Sequence, residues 1–259
     1  MVKAKKHLGQ HFLNNEAIAE EIVDAHFRCN TAKNVFEIGP GTGVLTKTLK
    51  NIPNINFTAL EIDRESIAYL NENYPEINVV NQDFLEMDFS KFEKDSVSII
   101  GNFPYNISTQ IVFKIIDNIE VINLMTGMFQ KEVGERICAK EGSKTYGITS
   151  VLTQVYFEVD YLFTVEAHEF TPPPKVRSGV IRIKKRDVPL VADEDFKAFK
   201  ELVKKAFNQR RKTIRNSIKS FINEGVMPEQ HELYSQRPEQ LNIEQFKTLL
   251  ALKKPKPNN

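Results

Sequence analysis

The chain has 259 residues, 41% of them hydrophobic and 27% charged, which is typical of a globular protein with one large domain, or one large and one small. The formal net charge of +1 gives no sign of a nucleic-acid partner, and two distant cysteines exclude a disulfide scaffold or a zinc ribbon. The histidines form no convincing ligand set, so no metal is expected. Neither a membrane-length apolar run nor a signal-peptide core is found, so we expect a cytoplasmic protein without a membrane partner.

From about residue 34 to 129, short apolar runs alternate with amphipathic stretches. The runs "NVFEI", "NFTALEI", "INVVNQD", "VSIIGN" and "VINLMTGMF" are typical of strands, and "RESIAYLNENY" and "TQIVFKIID" of helices. Alternation of this kind indicates βαβ units and a parallel sheet. Two later runs, "VDYLFTV" and "SGVIRIKK", predict further strands that add antiparallel edges.

The pattern changes near Pro189, after which "DFKAFKELVKKAF", "KTIRNSIKSFI" and "IEQFKTLLALKK" are helical in periodicity. The sequence therefore predicts an α/β domain over residues 1–188 and a small α-helical domain over residues 189–259.

A glycine-rich turn, "FEIGPGTG", follows the first strand. Gly39, Gly41 and Gly43 allow a tight turn and the close approach of a ligand to the backbone. A dinucleotide fingerprint requires a third glycine where Val44 stands, so the turn favours a ligand without phosphates. A plain strand-to-helix turn remains an alternative for this motif alone.

Acidic residues close the next two strands. Glu61, with Ile62 beside it, ends the second strand, where a ribose hydroxyl pair is bound in related sheets. Asp83 and Phe84 end the third, where a carboxylate can accept from an adenine amine and an aromatic ring can cover the base. Each acid alone is more often a helix N-cap, but together with the glycine turn they predict a pocket for S-adenosylmethionine.

The fourth strand ends in Asn102-Phe103-Pro104-Tyr105, a rigid loop with an amide and an aromatic ring at the ligand-binding edge of the sheet. An exocyclic amine on a base is planar and becomes tetrahedral when it attacks a methyl group. The Asn102 oxygen and a carbonyl fixed by Pro104 would favour that change, and Tyr105 would stack on the base. A strand-end turn with a buried tyrosine is the competing interpretation.

Eight segments in order resemble the KsgA family of small-subunit ribosomal RNA adenine dimethyltransferases, from about Lys5 to Leu252. They are "GQHFL", "EIGPGTGVLT", "EID", "QDFL", "NFPYNIST", "MFQKEVGERICAKEGSKTYGITSVLTQ", "FTPPPKVRSGVIR" and "FNQRRKTIRNSI". The resemblance implies a Rossmann-like seven-stranded class I methyltransferase domain and a small helical domain. It also implies dimethylation at N6 of two adjacent adenines in the 3′-terminal hairpin of small-subunit rRNA, late in subunit assembly.

Further site residues come from this resemblance alone. His11 and Leu13 resemble the family's N-terminal cofactor contacts, and Phe170 resembles its second aromatic near the target base. The family usually has Asn where His11 stands and Leu or Ile where Phe103 stands.

Basic residues are clustered although the net charge is small. Arg210, Arg211 and Lys212 are the strongest candidates for binding the RNA backbone. Arg215 and Lys175 belong to the same kind of basic zone, and Arg136 is a weaker candidate. We expect a monomer that binds small-subunit rRNA within an assembling subunit.

Four other functions compete with this one. A large-subunit resistance methylase shares the cofactor pocket but is expected to lack the "QRRKTIRNSI" block, and a DNA adenine methylase needs a target-recognition domain for which there is no room. An assembly factor with secondary methylation stays open, and a dehydrogenase is disfavoured by Val44.

Overall fold

The alternating apolar runs form the centre of one seven-stranded sheet. The computed structural model of the chain describes residues 2–253. The sheet has the order β4-β3-β2-β5-β6-β9-β7, with the strands β2 (Asn34–Ile38), β3 (Asn56–Glu61), β4 (Asn78–Asn81), β5 (Val97–Asn102), β6 (Ile122–Gln130), β7 (Phe157–Val165) and β9 (Ser178–Lys185). The predicted seven-stranded α/β fold is confirmed.

The first five strands of this sheet run parallel, and β9 lies antiparallel to β6. In the centre, β2 and β5 are buried at almost every position, as expected where helices cover both faces of a parallel sheet. β9 is not an edge strand, because it lies between β6 and β7.

Helices connect strands of the sheet, and further helices come after its last strand in the chain. They are α1 (Glu16–Phe27), α2 (Thr46–Leu49), α3 (Arg64–Asn73), α4 (Ser108–Ile116), α5 (Lys131–Cys138), α6 (Ile148–Tyr156), α7 (Asp193–Asn208), α8 (Ile214–Ser217), α9 (Lys219–Asn223) and α10 (Ile243–Ala251). The predicted helix over "KTIRNSIKSFI" is two short helices, α8 and α9.

The N-terminal segment has a structure that the sequence alone did not predict. The short strand β1 (Phe12–Leu13) pairs antiparallel with β8 (Phe170–Thr171), which places Leu13 opposite Phe170. Asn15 then begins α1 by accepting a hydrogen bond from the Ile18 N–H at 3.3 Å. The α1 residues Ile22 and Val23 are buried in the core beside the sheet, so this segment is part of the fold.

Contacts divide the chain into two units, which are described separately. The first comprises residues 1–135 and 158–185 and contains the sheet; the second comprises residues 136–157 and 186–259. The second unit has its own aromatic core, in which the Phe246 ring lies 6.0 Å from Phe207 and 6.3 Å from Phe199. The contacts place residues 136–157 in this unit, whereas the domain boundary near Pro189 stays a prediction.

Within residues 2–253, no helix is both long and apolar enough to cross a bilayer. In the same part of the chain, no three His, Cys, Asp or Glu side chains are grouped so that they could hold a metal ion.

Candidate functional site

The carboxyl ends of β2, β3 and β5 border one cleft, at the edge of the sheet where ligands bind in open α/β folds. Its lining includes most of the predicted cofactor and base-binding residues: His11, Leu13, Gly39, Gly41, Glu61, Ile62, Asn102, Pro104 and Tyr105. The sequence prediction that these strand ends form one site agrees with their positions.

The glycine turn forms one wall of the cleft. Gly39 and Gly41 have φ angles of 66° and 57°, which side chains rarely adopt. A Cβ on Gly41 would lie 2.7 Å from the Phe12 ring, so this glycine lets the N-terminal segment pack on the turn. Gly43 does not line the cleft; its Cβ position lies 2.7 Å from the Tyr74 ring, so its conformation (φ 83°) and packing explain the glycine.

Glu61 is fixed at the end of β3 by backbone donors. Its Oε2 accepts from the Gly41 N–H at 3.1 Å, and its Oε1 accepts from the N–H groups of Ile62 and Asp63 at 2.8 and 2.9 Å. Burial raises the pKa of Glu61, while these three hydrogen bonds oppose the rise. The carboxylate is therefore held in one orientation at the floor of the cleft.

A second buried carboxyl group, Glu37, lies on β2 and also lines the cleft. Burial raises its pKa to about 8, although the Thr46 hydroxyl donates to Oε2 at 2.6 Å and opposes the shift. The "FEIGPGTG" motif contains Glu37, but the sequence reading did not name it as a site residue. The feature of the sequence that could have identified Glu37 is a charged residue within an otherwise apolar strand.

The N-terminal segment is connected to the start of α3 by Asp63, which directly precedes that helix. Burial alone would raise the pKa of Asp63. Hydrogen bonds from Lys5 Nζ and from Gln10 Nε2, the second at 3.2 Å, outweigh the effect of burial and lower the pKa. Asp63 also caps α3 by accepting from the Glu65 N–H at 3.2 Å. One carboxylate thus orders both the helix start and residues 5–10, which the sequence alone did not indicate.

Asn102 connects β5 to the N-terminal segment. Its Nδ2 donates to the His11 carbonyl at 2.8 Å. Because a carbonyl can only accept, the NH₂ group must face His11, and the side-chain oxygen remains as an acceptor. This contact orients the predicted base-binding amide.

Tyr105 is half-buried and held from two sides. Its hydroxyl lies 2.5 Å from the Ser178 Oγ, and its ring is stacked on the His11 ring with centroids 5.3 Å apart. Burial raises the pKa of Tyr105, and the Ser178 hydrogen bond opposes the rise. The His11 Nδ1 lies 2.7 Å from the Pro172 carbonyl oxygen, so Nδ1 carries the proton.

Phe103 occupies a slot between two glycines. Its ring is buried and lies 5.0 Å from the Phe129 ring. A Cβ on Gly127 would lie 2.2 Å from the Phe103 ring, and one on Gly101 would lie 3.0 Å from it. These glycines provide the space that a phenyl ring requires at this position.

Three other predicted residues do not line the cleft. Phe84 is buried, with its ring 5.8 Å from Phe89. Asp83 accepts from the Leu85 N–H at 2.8 Å as a helix cap, the role that the sequence reading considered the better one for a lone acid. Phe170 is buried in the core that contains Leu13.

The predicted RNA-binding residues lie in both units. Arg215 lies in α8, and Arg211 and Lys212 lie in the turn before it. All three are exposed in the second unit, and Lys175 is exposed in the first. Arg210 donates to the Lys144 carbonyl, and Arg136, in α5, is half-buried.

The residues of the described chain that line the cleft include two carboxyl groups and no lysine or arginine. Such a lining suits an adenosine cofactor without phosphates, whose recognition relies on hydroxyl and amine donors. With the mixed seven-stranded sheet, it defines the class: a Rossmann-like methyltransferase of the S-adenosylmethionine-dependent kind.

The chain belongs to the ribosomal RNA adenine dimethylase family, whose sequence model matches residues 1–252. It is 51% identical over 248 residues to the "Ribosomal RNA small subunit methyltransferase A" of Cytophaga hutchinsonii, with 95% of each chain covered. It is 50% identical over 249 residues to the protein of that name in Flavobacterium johnsoniae, covering 95% of this chain and 94% of the relative.

Solved structures agree with this assignment. A dimethyladenosine transferase from Plasmodium falciparum superposes with a TM-score of 0.76 at 25% identity, covering 93% of this chain and 96% of the other. The 23S rRNA methyltransferase ErmE superposes with a TM-score of 0.69 at 25% identity, covering 92% of this chain and 99% of the other. Membership of the family confirms the predicted fold, the enzyme class and the cofactor.

Proposed function

We propose that the enzyme transfers methyl groups from S-adenosylmethionine to N6 of two adjacent adenines in the 3′-terminal hairpin of small-subunit rRNA. The observation that carries the proposal is the Asn102 amide, whose orientation is fixed by the His11 carbonyl at 2.8 Å in a cleft that also holds Tyr105. The small-subunit relatives, about half identical in sequence, support the choice of rRNA. We also propose that the enzyme acts in the cytoplasm during subunit assembly, as a monomer and without a metal ion.

The cofactor would lie against the glycine turn and the end of β3. Glu61 would accept from the ribose hydroxyls, and Ile62, which is 47% exposed at the cleft, would cover the adenine ring. His11 and Leu13 would close the cleft from the N-terminal side, and the backbone at Gly39 and Gly41 would contact the rest of the molecule. When bound, S-adenosylmethionine supplies a methyl group on a sulfonium sulfur that a nitrogen can attack.

The end of β5 would bind the adenine amine. The Asn102 oxygen and the Phe103 carbonyl would each accept one N6 hydrogen, which favours a tetrahedral nitrogen over the planar one. The Phe103 N–H donates to the Met128 carbonyl at 3.1 Å, so this part of the backbone is fixed to β6. Prepositioned acceptors stabilise the transition state without a strong base, because the alkylated amine loses its proton easily.

Tyr105 would stack on the target base. An adenine inside a helix cannot reach the cleft, so the substrate base must be unstacked, as bases in RNA hairpin loops are. The exposed basic residues near α8 would bind the RNA backbone, and added salt would weaken that binding.

A large-subunit substrate is the main alternative, because the fold of the 23S rRNA enzyme ErmE covers most of this chain. The test is incubation of the protein with methyl-labelled S-adenosylmethionine and undermodified small and large ribosomal particles in separate reactions. The proposal predicts label in the small particle only. Label in the large particle would contradict it, and cofactor binding without transfer to either particle would favour an assembly factor.

A further inference from the structure

Ser178 is a buried serine that no part of the proposed chemistry uses directly. It begins β9, where it lies opposite Gln130 of β6, and it is fully buried. Its Oγ lies 2.5 Å from the Tyr105 hydroxyl, although the two residues are 73 positions apart in the sequence. A contact between a sheet residue and the base-binding loop requires an explanation.

The backbone around Ser178 is fixed on both sides. The Lys131 N–H donates to the Arg177 carbonyl at 2.9 Å, which holds the residue just before the serine. After the serine, a Cβ on Gly179 would lie 2.6 Å from the Tyr161 hydroxyl oxygen, so β9 packs closely on a neighbouring side chain at this point. The Ser178 hydroxyl is therefore a fixed reference point in the sheet.

Tyr105 is held at three places, one on its backbone and two on its side chain. Its carbonyl accepts from the Ser108 hydroxyl at 3.1 Å, its hydroxyl is bound to Ser178, and its ring is stacked on His11 at an interplanar angle of 28°. With the backbone and the hydroxyl fixed, the ring can turn only about the axis between them. The His11 ring sets that rotation and covers one face; Tyr105 also lines the cleft, where a base would stack on the other face.

We infer that Ser178 is a positioning residue, which holds the Tyr105 ring in the plane where the target adenine stacks; the inference rests on the proposed function. A ring tethered at its hydroxyl is already oriented before RNA binds. Loss of the tether would let the ring leave the plane and would misplace the adenine amine relative to Asn102. Small displacements of reacting groups reduce the turnover rate more than they reduce binding.

The test compares Ser178→Ala, Tyr105→Phe and the double variant, with label transfer to undermodified small particles as the assay. Each single variant removes one partner of the same hydrogen bond. We expect each to lower kcat roughly 3- to 10-fold, the rate effect of one net hydrogen bond, with little change in the KM for S-adenosylmethionine. The double variant should lose no more than either single variant, because the same interaction is removed.

Ser98→Ala is the matched control. Ser98 is also a fully buried serine of this sheet, and its Oγ lies 3.0 Å from His26 Nε2, with no residue of the cleft involved. It should lower the melting temperature and leave kcat near the wild-type value, which separates lost stability from lost positioning.

Three results would overturn the inference. They are wild-type kcat in Ser178→Ala, losses that multiply in the double variant, or a fall in kcat that Ser98→Ala reproduces. If the wild-type enzyme transfers no label to the small particle, the proposed function fails and the inference fails with it.

Discussion

At the residue scale, the account depends on Asn102. Its Nδ2 donates to the His11 carbonyl at 2.8 Å, so its side-chain oxygen remains available to a substrate amine. This arrangement makes the half-buried amide a directed acceptor.

Asn102→Ala should lower kcat by a factor corresponding to about 2–4 kcal/mol, because one prepositioned hydrogen-bonding group is lost from the transition state. Single-turnover label transfer would measure the chemical step directly. Turnover within about twofold of wild type would remove Asn102 from the proposed mechanism.

The sequence predicted where candidate site residues lie when the end of a strand determines their position. Glu61, Asn102 and Tyr105 follow buried strands, and all three line the cleft. Phe84 follows the same logic but is buried elsewhere, since a residue next to a strand end can turn to either side. Phe170, which was predicted from the resemblance alone, is buried in the core that contains Leu13. Ser178 could not be predicted, because its partner Tyr105 is distant in the sequence.

At the element scale, the meeting of β5 and β6 explains the unusual Phe103. Gly101 and Gly127 are paired in the parallel register of these strands, and together they leave a slot for the Phe103 ring. The sequence shows both glycines but not that they face one aromatic side chain.

Gly127→Ala should lower the free energy of unfolding by about 1–3 kcal/mol, since the added methyl would overlap the Phe103 ring in a packed interior. Chemical denaturation gives the value. Phe103→Leu should restore part of the loss in the double variant, and a double variant less stable than Gly127→Ala alone would refute this packing account.

The strand β2, just before the turn into α2, contains the buried Glu37, whose folded-state pKa of about 8 lies above its ordinary value of 4.5. Burial favours the protonated form, so this group stabilises the fold below about pH 4.5, and the contribution is lost as the pH rises toward 8. The loss is at most on the order of 1.4 kcal/mol per pH unit.

Glu37→Gln keeps the shape and can still accept from the Thr46 hydroxyl, but it cannot ionise. The variant should gain stability relative to wild type as the pH increases from 5 to 8.5, as measured by urea unfolding at each pH. Parallel stability curves for the two proteins would show that the pKa of Glu37 is the same in the folded and unfolded states.

For the molecule as a whole, the distribution of charge is not apparent from the composition. The net charge is +1, yet Arg211, Lys212 and Arg215 are all exposed near α8 in the second unit. The sequence predicted this cluster from the density of its basic residues and expected a helix there, but Arg211 and Lys212 lie in the turn between α7 and α8. It did not predict that residues 136–157 would join that unit, since those contacts are distant in sequence.

Arg211→Ala combined with Lys212→Ala should weaken RNA binding and reduce the slope of log affinity against log salt by about 1–2, as expected when two phosphate contacts are lost. Filter binding across a salt series would provide the slopes. Lys91→Ala combined with Lys94→Ala, which removes two exposed lysines from the first unit, serves as the control and should leave the slope unchanged. Equal slopes for both double variants and wild type would exclude the basic cluster from the RNA site.

The most direct measurement is mass spectrometry of small-subunit rRNA fragments after reaction with the enzyme and S-adenosylmethionine. The account predicts two adjacent N6,N6-dimethyladenosines in the 3′-terminal hairpin, absent from the reaction with Asn102→Ala over the same time. Methylation of another base, of a single adenine only, or outside that hairpin would contradict it.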